Sequence, residues 1–224
     1  MGLSLFAVPV KGRIRESTDM ILSSAGMLIG DRRQLLVRLS PKVSLIRMPA
    51  ASVAKGIVLG KLSYGITGLD LMTEECLRQN ATNVELCCRY DLSLAQLRFM
   101  VPKAYTTVNM VSDLRKLTLF SPLRIATKFK RITARYLRSQ GFNSFILMDC
   151  PKAAEVAAFT FRCHAIMDVV TSNRTADSNL MKVLSGSPVL STSLCLFRNL
   201  NRPSCPELEA KVTFLANRGT FPAF

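Results

Sequence analysis

Histidine occurs once in the 224 residues, at His164, and none of the seven cysteines is spaced as CxxC. A zinc or iron–sulfur centre needs clustered soft ligands, so these two scarcities weigh against a metal-thiolate site. The odd cysteine count and irregular spacing also lack the density of a disulfide scaffold. Reduced thiols in a cytoplasmic protein, most of them in the core, are expected instead. Acidic residues are scarce too, with 15 Asp plus Glu against 30 Lys plus Arg and a net charge of +15. Such a field attracts polyanions, whether nucleic acid, an acidic membrane surface or phosphorylated small molecules, and charge does not choose among them. Long apolar runs are missing. The longest uncharged stretch, 183–197, is shorter than a membrane span and contains Gly186 and Pro188. The apolar start, 1–10, carries Pro9 and no leading positive charge, unlike a signal peptide. Internal repeats, low-complexity tracts and heptad runs are absent as well.

What is present is a chain that is 49% hydrophobic, enough for one large core or two lobes. Strand-like and helix-like segments alternate along it. Strands are predicted over 3–8, 35–39, 43–46, 64–68, 94–101, 123–127, 145–148 and 165–170. Helices are predicted over 14–24, 50–59, 70–79, 111–117, 132–140, 153–161 and about 177–184. The alternation predicts an α/β protein.

Two strand ends stand out. The turn Lys11-Gly12-Arg13 follows the first strand, beyond the carboxyl end where open α/β sheets bind ligands. The strand carrying Asp168 delivers Thr171, Ser172 and Thr175 to a loop before a helix. Hydroxyls and free backbone N–H groups at a helix start form a phosphate cradle, and an aspartate there can accept from ribose hydroxyls. The plainer reading is a strand-to-helix loop capped by Ser and Thr. A third feature is basic: Arg131, Arg135 and Arg138 fall at i, i+4 and i+7 within a run from Arg124 to Arg138 that has no acid. That face suits phosphates, or simply water. Nucleic acid ranks last as its partner, because no nucleic-acid motif accompanies it.

In order, Ala7-Val-Pro-Val-Lys-Gly-Arg13, Gly60 to Asp70 with Glu74, Arg124-Ile-Ala-Thr-Lys128, Glu155 and Ala165-Ile-Met-Asp-Val-Val-Thr171 resemble the successive signatures of ATP phosphoribosyltransferase. The resemblance spans 3–199, and the remaining tail is too short for the regulatory domain of the family's long form, so the short form is the match. It implies two α/β lobes like the periplasmic binding protein type II fold, with the active site in the interlobe cleft. The lobes are expected at 1–94 plus 181–224 and at 95–180.

The implied reaction joins ATP to phosphoribosyl pyrophosphate, releases pyrophosphate and opens histidine biosynthesis. Mg²⁺ would be held mainly by substrate phosphates, with no dedicated protein ligands. Lys11, Glu155 and Asp168 take the catalytic positions. Arg13, Gly68, Asp70, Glu74, Thr171, Ser172, Asn173, Arg174 and Thr175 take the substrate-binding ones. The resemblance also implies an oligomer, homo- or heteromeric, and a partner subunit resembling histidyl-tRNA synthetase. Asn173 stands where the family has glycine, His164 where it has aspartate, and Phe161 where it has glycine. A homologue acting as a ligand-binding or regulatory subunit is the alternative these departures motivate.

Overall fold

The computed structural model describes residues 3–27, 34–118, 121–150, 163–172 and 174–219. In chain order the elements are β1 (Ser4–Pro9), α1 (Arg15–Ser24), β2 (Leu36–Ser40), β3 (Val43–Met48), α2 (Ala50–Val58), β4 (Tyr64–Gly68) and α3 (Leu69–Gln79). They continue as β5 (Val84–Pro102), a 3-10 turn (Val111–Leu117), β6 (Leu123–Thr127), α4 (Lys130–Ser139), β7 (Phe145–Asp149) and β8 (Ala165–Val170). The last are α5 (Arg174–Ser178), β9 (Met181–Val183), β10 (Leu190–Asn199) and α6 (Pro206–Ala216). The chain divides into two compact units, Met1–Leu94 with Ser193–Phe224, and Ala95–Thr192.

In the first unit β1 lies parallel to β3 on one side and β4 on the other. β2 and β10 run antiparallel to β3 and β4 respectively. A sheet buried on both faces needs apolar side chains at successive positions, and the sequence supplies them. Phe6, Val8, Tyr64, Ile66, Leu194 and Leu196 enter one core, with Ile21 and Leu22 of α1 and Leu208, Val212 and Leu215 of α6. Ala7, Cys195 and Phe197 enter the other, with Val53, Ala54 and Ile57 of α2 and Met72 of α3. The pleat alternation thus sends neighbouring residues of one strand into two cores.

In the second unit β6 is parallel to β7 and β8, and β5 runs antiparallel to β8 and β9. Met100, Ala126, Ile166 and Met181 share a core there.

Three expectations change. The second unit ends at Thr192, not at 180, because β9 pairs with Met100, Val101 and Pro102 of β5 and so stays with that unit. The helix expected over 177–184 is instead the short α5 followed by β9. Leu180 turns the chain with φ +55°, and the buried Met181 then enters the sheet. The strand expected over 94–101 begins ten residues earlier, at Val84, and β10 and α6 add elements not anticipated. The helix expected over 153–161 lies outside the described residues.

Candidate active site

In the first unit, β1 and β4 run parallel as neighbours, so the residues just past them share one edge of the sheet. After β1, Val10 N–H donates to the Met48 carbonyl at 3.0 Å, and the chain turns at Gly12 with φ +90°. A side chain there would be strained by the left-handed backbone. Arg15 N–H closes the turn on the Gly12 carbonyl at 3.1 Å, which leaves Lys11 and Arg13 exposed.

The Arg13 guanidinium donates through Nη1 to the Ser93 carbonyl. Ser93 is held again from α1, its Oγ lying 2.8 Å from Ser17 Oγ, and its own backbone is left-handed at φ +53° in the middle of β5. Packing around the guanidinium pulls the Arg13 pKa below its ordinary value, and the Asp70 carboxylate opposes that shift. The Arg13 cation in the turn after β1 and the Asp70 anion at the start of α3 are therefore electrostatic neighbours.

Near the end of β4, Thr67 Oγ1 donates to the Ala50 carbonyl at 3.0 Å, tying the strand end to α2. Gly68 then caps α3 from an extended conformation, and Asp70 follows in the first turn, buried at 3% exposure. A Cβ on Gly68 would collide with Asp70 Oδ1, so glycine is what lets the carboxylate fold back toward the strand end. Glu74 sits one turn further along α3, half-buried.

In the second unit, Asp168 lies near the carboxyl end of β8, half-buried. Its Oδ1 accepts from Val169 N–H at 2.7 Å and pairs with Lys128 Nζ at 3.1 Å. Thr171 and Ser172 follow the strand and are exposed. The backbone at Arg174 and Thr175 opens α5, which spans only five residues, so phosphate binding there would rest on backbone N–H and hydroxyl groups more than on a helix dipole. Glu155 and Asn173 lie outside the described residues.

The sequence reading therefore has two groups drawn together, one in each unit. Lys11, Arg13, Gly68 and Asp70 form the first, and Asp168, Thr171 and Ser172 the second. It missed Ser93, whose carbonyl accepts from Arg13, and Ser17, which holds Ser93; Lys128 stood in the basic run and in the signature Arg124 to Lys128, with no site role of its own.

His164 sits at the start of β8. Its Nδ1 accepts from Arg124 N–H at 2.9 Å, and its own N–H donates to the Arg124 carbonyl at 2.8 Å. Burial and the Arg124 charge both lower its pKa. It is a neutral latch between β6 and β8. The seven cysteines are free thiols. Burial pushes Cys87 up to about 12 and Cys195 up to about 11, so neither offers a thiolate at neutral pH. Among the described residues no three His, Cys, Asp or Glu side chains converge as a metal site, and no helix is long and apolar enough to cross a membrane.

A family model described as ATP phosphoribosyltransferase matches residues 49–218. Curated relatives bearing that name include one from Agrobacterium fabrum, 26% identical over 204 residues, covering 86% of this chain and 88% of the relative. Another, from Mesorhizobium japonicum, is 29% identical over 202 residues, covering 85% and 87%. A longer relative from Methanococcus maripaludis is 29% identical over 210 residues, covering 93% of this chain and 69% of its own length.

Among solved structures, the ATP phosphoribosyl transferase (HisG:HisZ) complex from Thermotoga maritima superposes with a TM-score of 0.72 at 20% identity, covering 95% of both chains. The GluR0 ligand-binding core, solved with L-glutamate, superposes with a TM-score of 0.59 at 12% identity, covering 97% of this chain and 91% of that one. At those identities the likeness is one of fold, a two-lobed α/β architecture shared with ligand-binding proteins.

Proposed function

The chain belongs to the ATP phosphoribosyltransferase family, and on that premise we propose how its own residues carry the family's reaction. The protein is a glycosyltransferase that joins N1 of the adenine of ATP to C1 of phosphoribosyl pyrophosphate. The products are N1-(5-phosphoribosyl)-ATP and pyrophosphate, and the step opens histidine biosynthesis. The observation that carries the site reading is the hydroxyl-bearing turn Thr171-Ser172, directly after a strand that holds the Asp168 carboxylate at its end.

As the bond from C1 to the pyrophosphate oxygen breaks and the bond from C1 to N1 forms, the ribose passes through an oxocarbenium-like state. No protein nucleophile is needed. Positioning of the two substrates and stabilisation of the departing charge supply most of the rate. Asp168 accepts hydrogen bonds from ribose hydroxyls, and the family resemblance assigns Glu155 to the same ring. Thr171 and Ser172, completed by Asn173, Arg174 and Thr175, hold the 5-phosphate. Lys11 and Arg13 present exposed cations to the pyrophosphate and triphosphate groups. Gly68, Asp70 and Glu74 shape the adjoining wall, with the Asp70 carboxylate an electrostatic neighbour of the Arg13 cation.

Mg²⁺ held mainly by the substrates' phosphates and water would supply positive charge for the leaving pyrophosphate. Hard oxygen donors suit that cation; the substrates' phosphates supply most of them, and no protein ligand is assigned to it. A cytoplasmic setting, where free thiols persist, and an oligomer with a regulatory subunit resembling histidyl-tRNA synthetase complete the reading. The Thermotoga neighbour, a HisG:HisZ complex, supports the partner.

The test is direct formation of phosphoribosyl-ATP from ATP and phosphoribosyl pyrophosphate, with and without a chelator. Product that disappears on Mg²⁺ removal is expected. Absence of product even with the regulatory subunit added would overturn the enzymatic reading and leave a ligand-binding subunit in its place.

A further inference from the structure

Resting on the phosphoribosyl reading of Asp168, we infer that Lys128 is the positioning residue of that site, setting the carboxylate for ribose and supplying a cation where the polyanion arrives. Strands β6 and β8 are parallel neighbours with Ile125 opposite Ala165 and Ala126 opposite Ile166. Lys128 directly follows the end of β6 at Thr127, and its side chain reaches Asp168 near the end of β8. The backbone beneath Lys128 is fixed. Phe129 N–H donates to the buried Thr127 Oγ1 at 3.0 Å, and the Phe129 ring is itself buried.

The Lys128 side chain is then pinned twice. Its Nζ lies 3.1 Å from Asp168 Oδ1 and 5.0 Å from the centroid of the Phe129 ring. Oδ1 also accepts from Val169 N–H at 2.7 Å, so that oxygen is committed to the protein. Oδ2 is the atom left for a ribose hydroxyl.

An ordinary surface ion pair would be the plain explanation, and such pairs add little to stability. This one differs in its place. A lone carboxylate at the phosphoribosyl site would repel both the 5-phosphate and the pyrophosphate, and the ammonium beside it cancels that repulsion without occupying the ribose-facing oxygen. Both side chains also reach solvent, at 37% exposure for Lys128 and 21% for Asp168, so an incoming ligand can meet them.

The experiment compares the full-length protein with Lys128→Met and Lys128→Arg, in steady-state kinetics and in thermal stabilisation by phosphoribosyl pyrophosphate. Lys128→Met should raise KM for phosphoribosyl pyrophosphate about tenfold, the size of one lost charge-assisted contact. KM for ATP should change less than about twofold, and the melting temperature without ligand should hold, because an exposed pair contributes little to folding. Lys128→Arg should restore most of the loss.

If the wild type is stabilised by phosphoribosyl pyrophosphate and Lys128→Met is stabilised equally, the inference about Lys128 falls while the function stands. If Lys128→Met lowers both KM-independent turnover and the unliganded melting temperature, and Lys128→Arg does not rescue, the role is structural and the inference also falls. If the wild type itself neither binds nor turns over, the reading beneath it falls first.

Discussion

Gly68 shows how one missing methyl group can set a site. Its Cα lies so close to the Asp70 carboxylate that a Cβ would collide with Oδ1, and Asp70 is buried in the first turn of α3. Gly68→Ala should therefore destabilise the protein by about 1–3 kcal/mol through overpacking and displace the carboxylate that opposes the pKa loss of Arg13. Chemical denaturation reads the first effect and the KM for phosphoribosyl pyrophosphate the second; an unchanged midpoint would mean that the carboxylate relocates freely. A second residue-scale case is Asp19. Its Oδ1 accepts from Arg47 Nη1 at 2.8 Å, and Arg47 is 4% exposed. Its Oδ2 is 3.7 Å from Arg15, whose side chain is 32% exposed. Removing one partner of a buried pair strands the other charge. Asp19→Ala should therefore cost about 3 kcal/mol, whereas Arg15→Ala should cost less than about 1 kcal/mol because water already screens that contact. Equal effects in urea denaturation would refute the ranking.

At the scale of elements, β6 and β8 are latched by His164, whose Nδ1 accepts the Arg124 N–H and so requires the neutral ring. Its folded pKa is lowered by burial and by the Arg124 charge, so below about pH 6.5 the unfolded chain binds the proton more readily than the folded one. Stability from this group is complete above that pH and is lost as pH falls toward the lowered folded value. His164→Asn keeps an acceptor near the Nδ1 position but cannot titrate. The melting-temperature difference between wild type and variant should shift against the wild type from pH 7 to pH 5.5, while the acids, common to both, cancel. A parallel pair of curves would sink the latch. This element also illustrates what was legible beforehand. β1, β6 and β8 were legible as mostly apolar stretches of strand length, and β4 as a short stretch running into Gly68. The candidate site residues at Lys11 to Arg13 and Asp168 to Ser172 stood out as strand ends, whereas Gly68 and Asp70 were named by the family resemblance. β9 was taken for helix because its pairing with β5 is a tertiary gain with no local signature. β10, rich in Ser and Thr, hid its buried register inside an uncharged stretch. α6 had a signal that went unused, with Pro206 at the helix start and Glu207 and Glu209 in the first turn. Ser93 had none: its left-handed backbone follows from Arg13 and Ser17 reaching it across 80 and 76 positions of chain.

For the whole molecule the question is whether its net charge of +15 or its specific groups govern anion binding. The summed field acts on any polyanion and weakens as the screening length shrinks to about 3 Å at 1 M salt. The proposed site would act through ribose hydroxyls as well as phosphates, and its Asp168 contact is one that a bare phosphate chain lacks. Preferential binding to the folded state raises apparent stability by about 2.7 kcal/mol at a hundredfold excess over Kd. Phosphoribosyl pyrophosphate, tripolyphosphate and pyrophosphate should therefore all raise the melting temperature at low salt, because Lys11, Arg13 and Lys128 are exposed cations. At about 1 M salt the shifts from the two inorganic anions should largely vanish, while phosphoribosyl pyrophosphate keeps a measurable part of its own. In Asp168→Asn that residual should shrink toward the inorganic value, since the neutral amide accepts less strongly from the ribose. Three curves collapsing together at every salt concentration would mean that charge alone recruits the anion, and the hydroxyl turn after β8 would then be an ordinary strand-end loop.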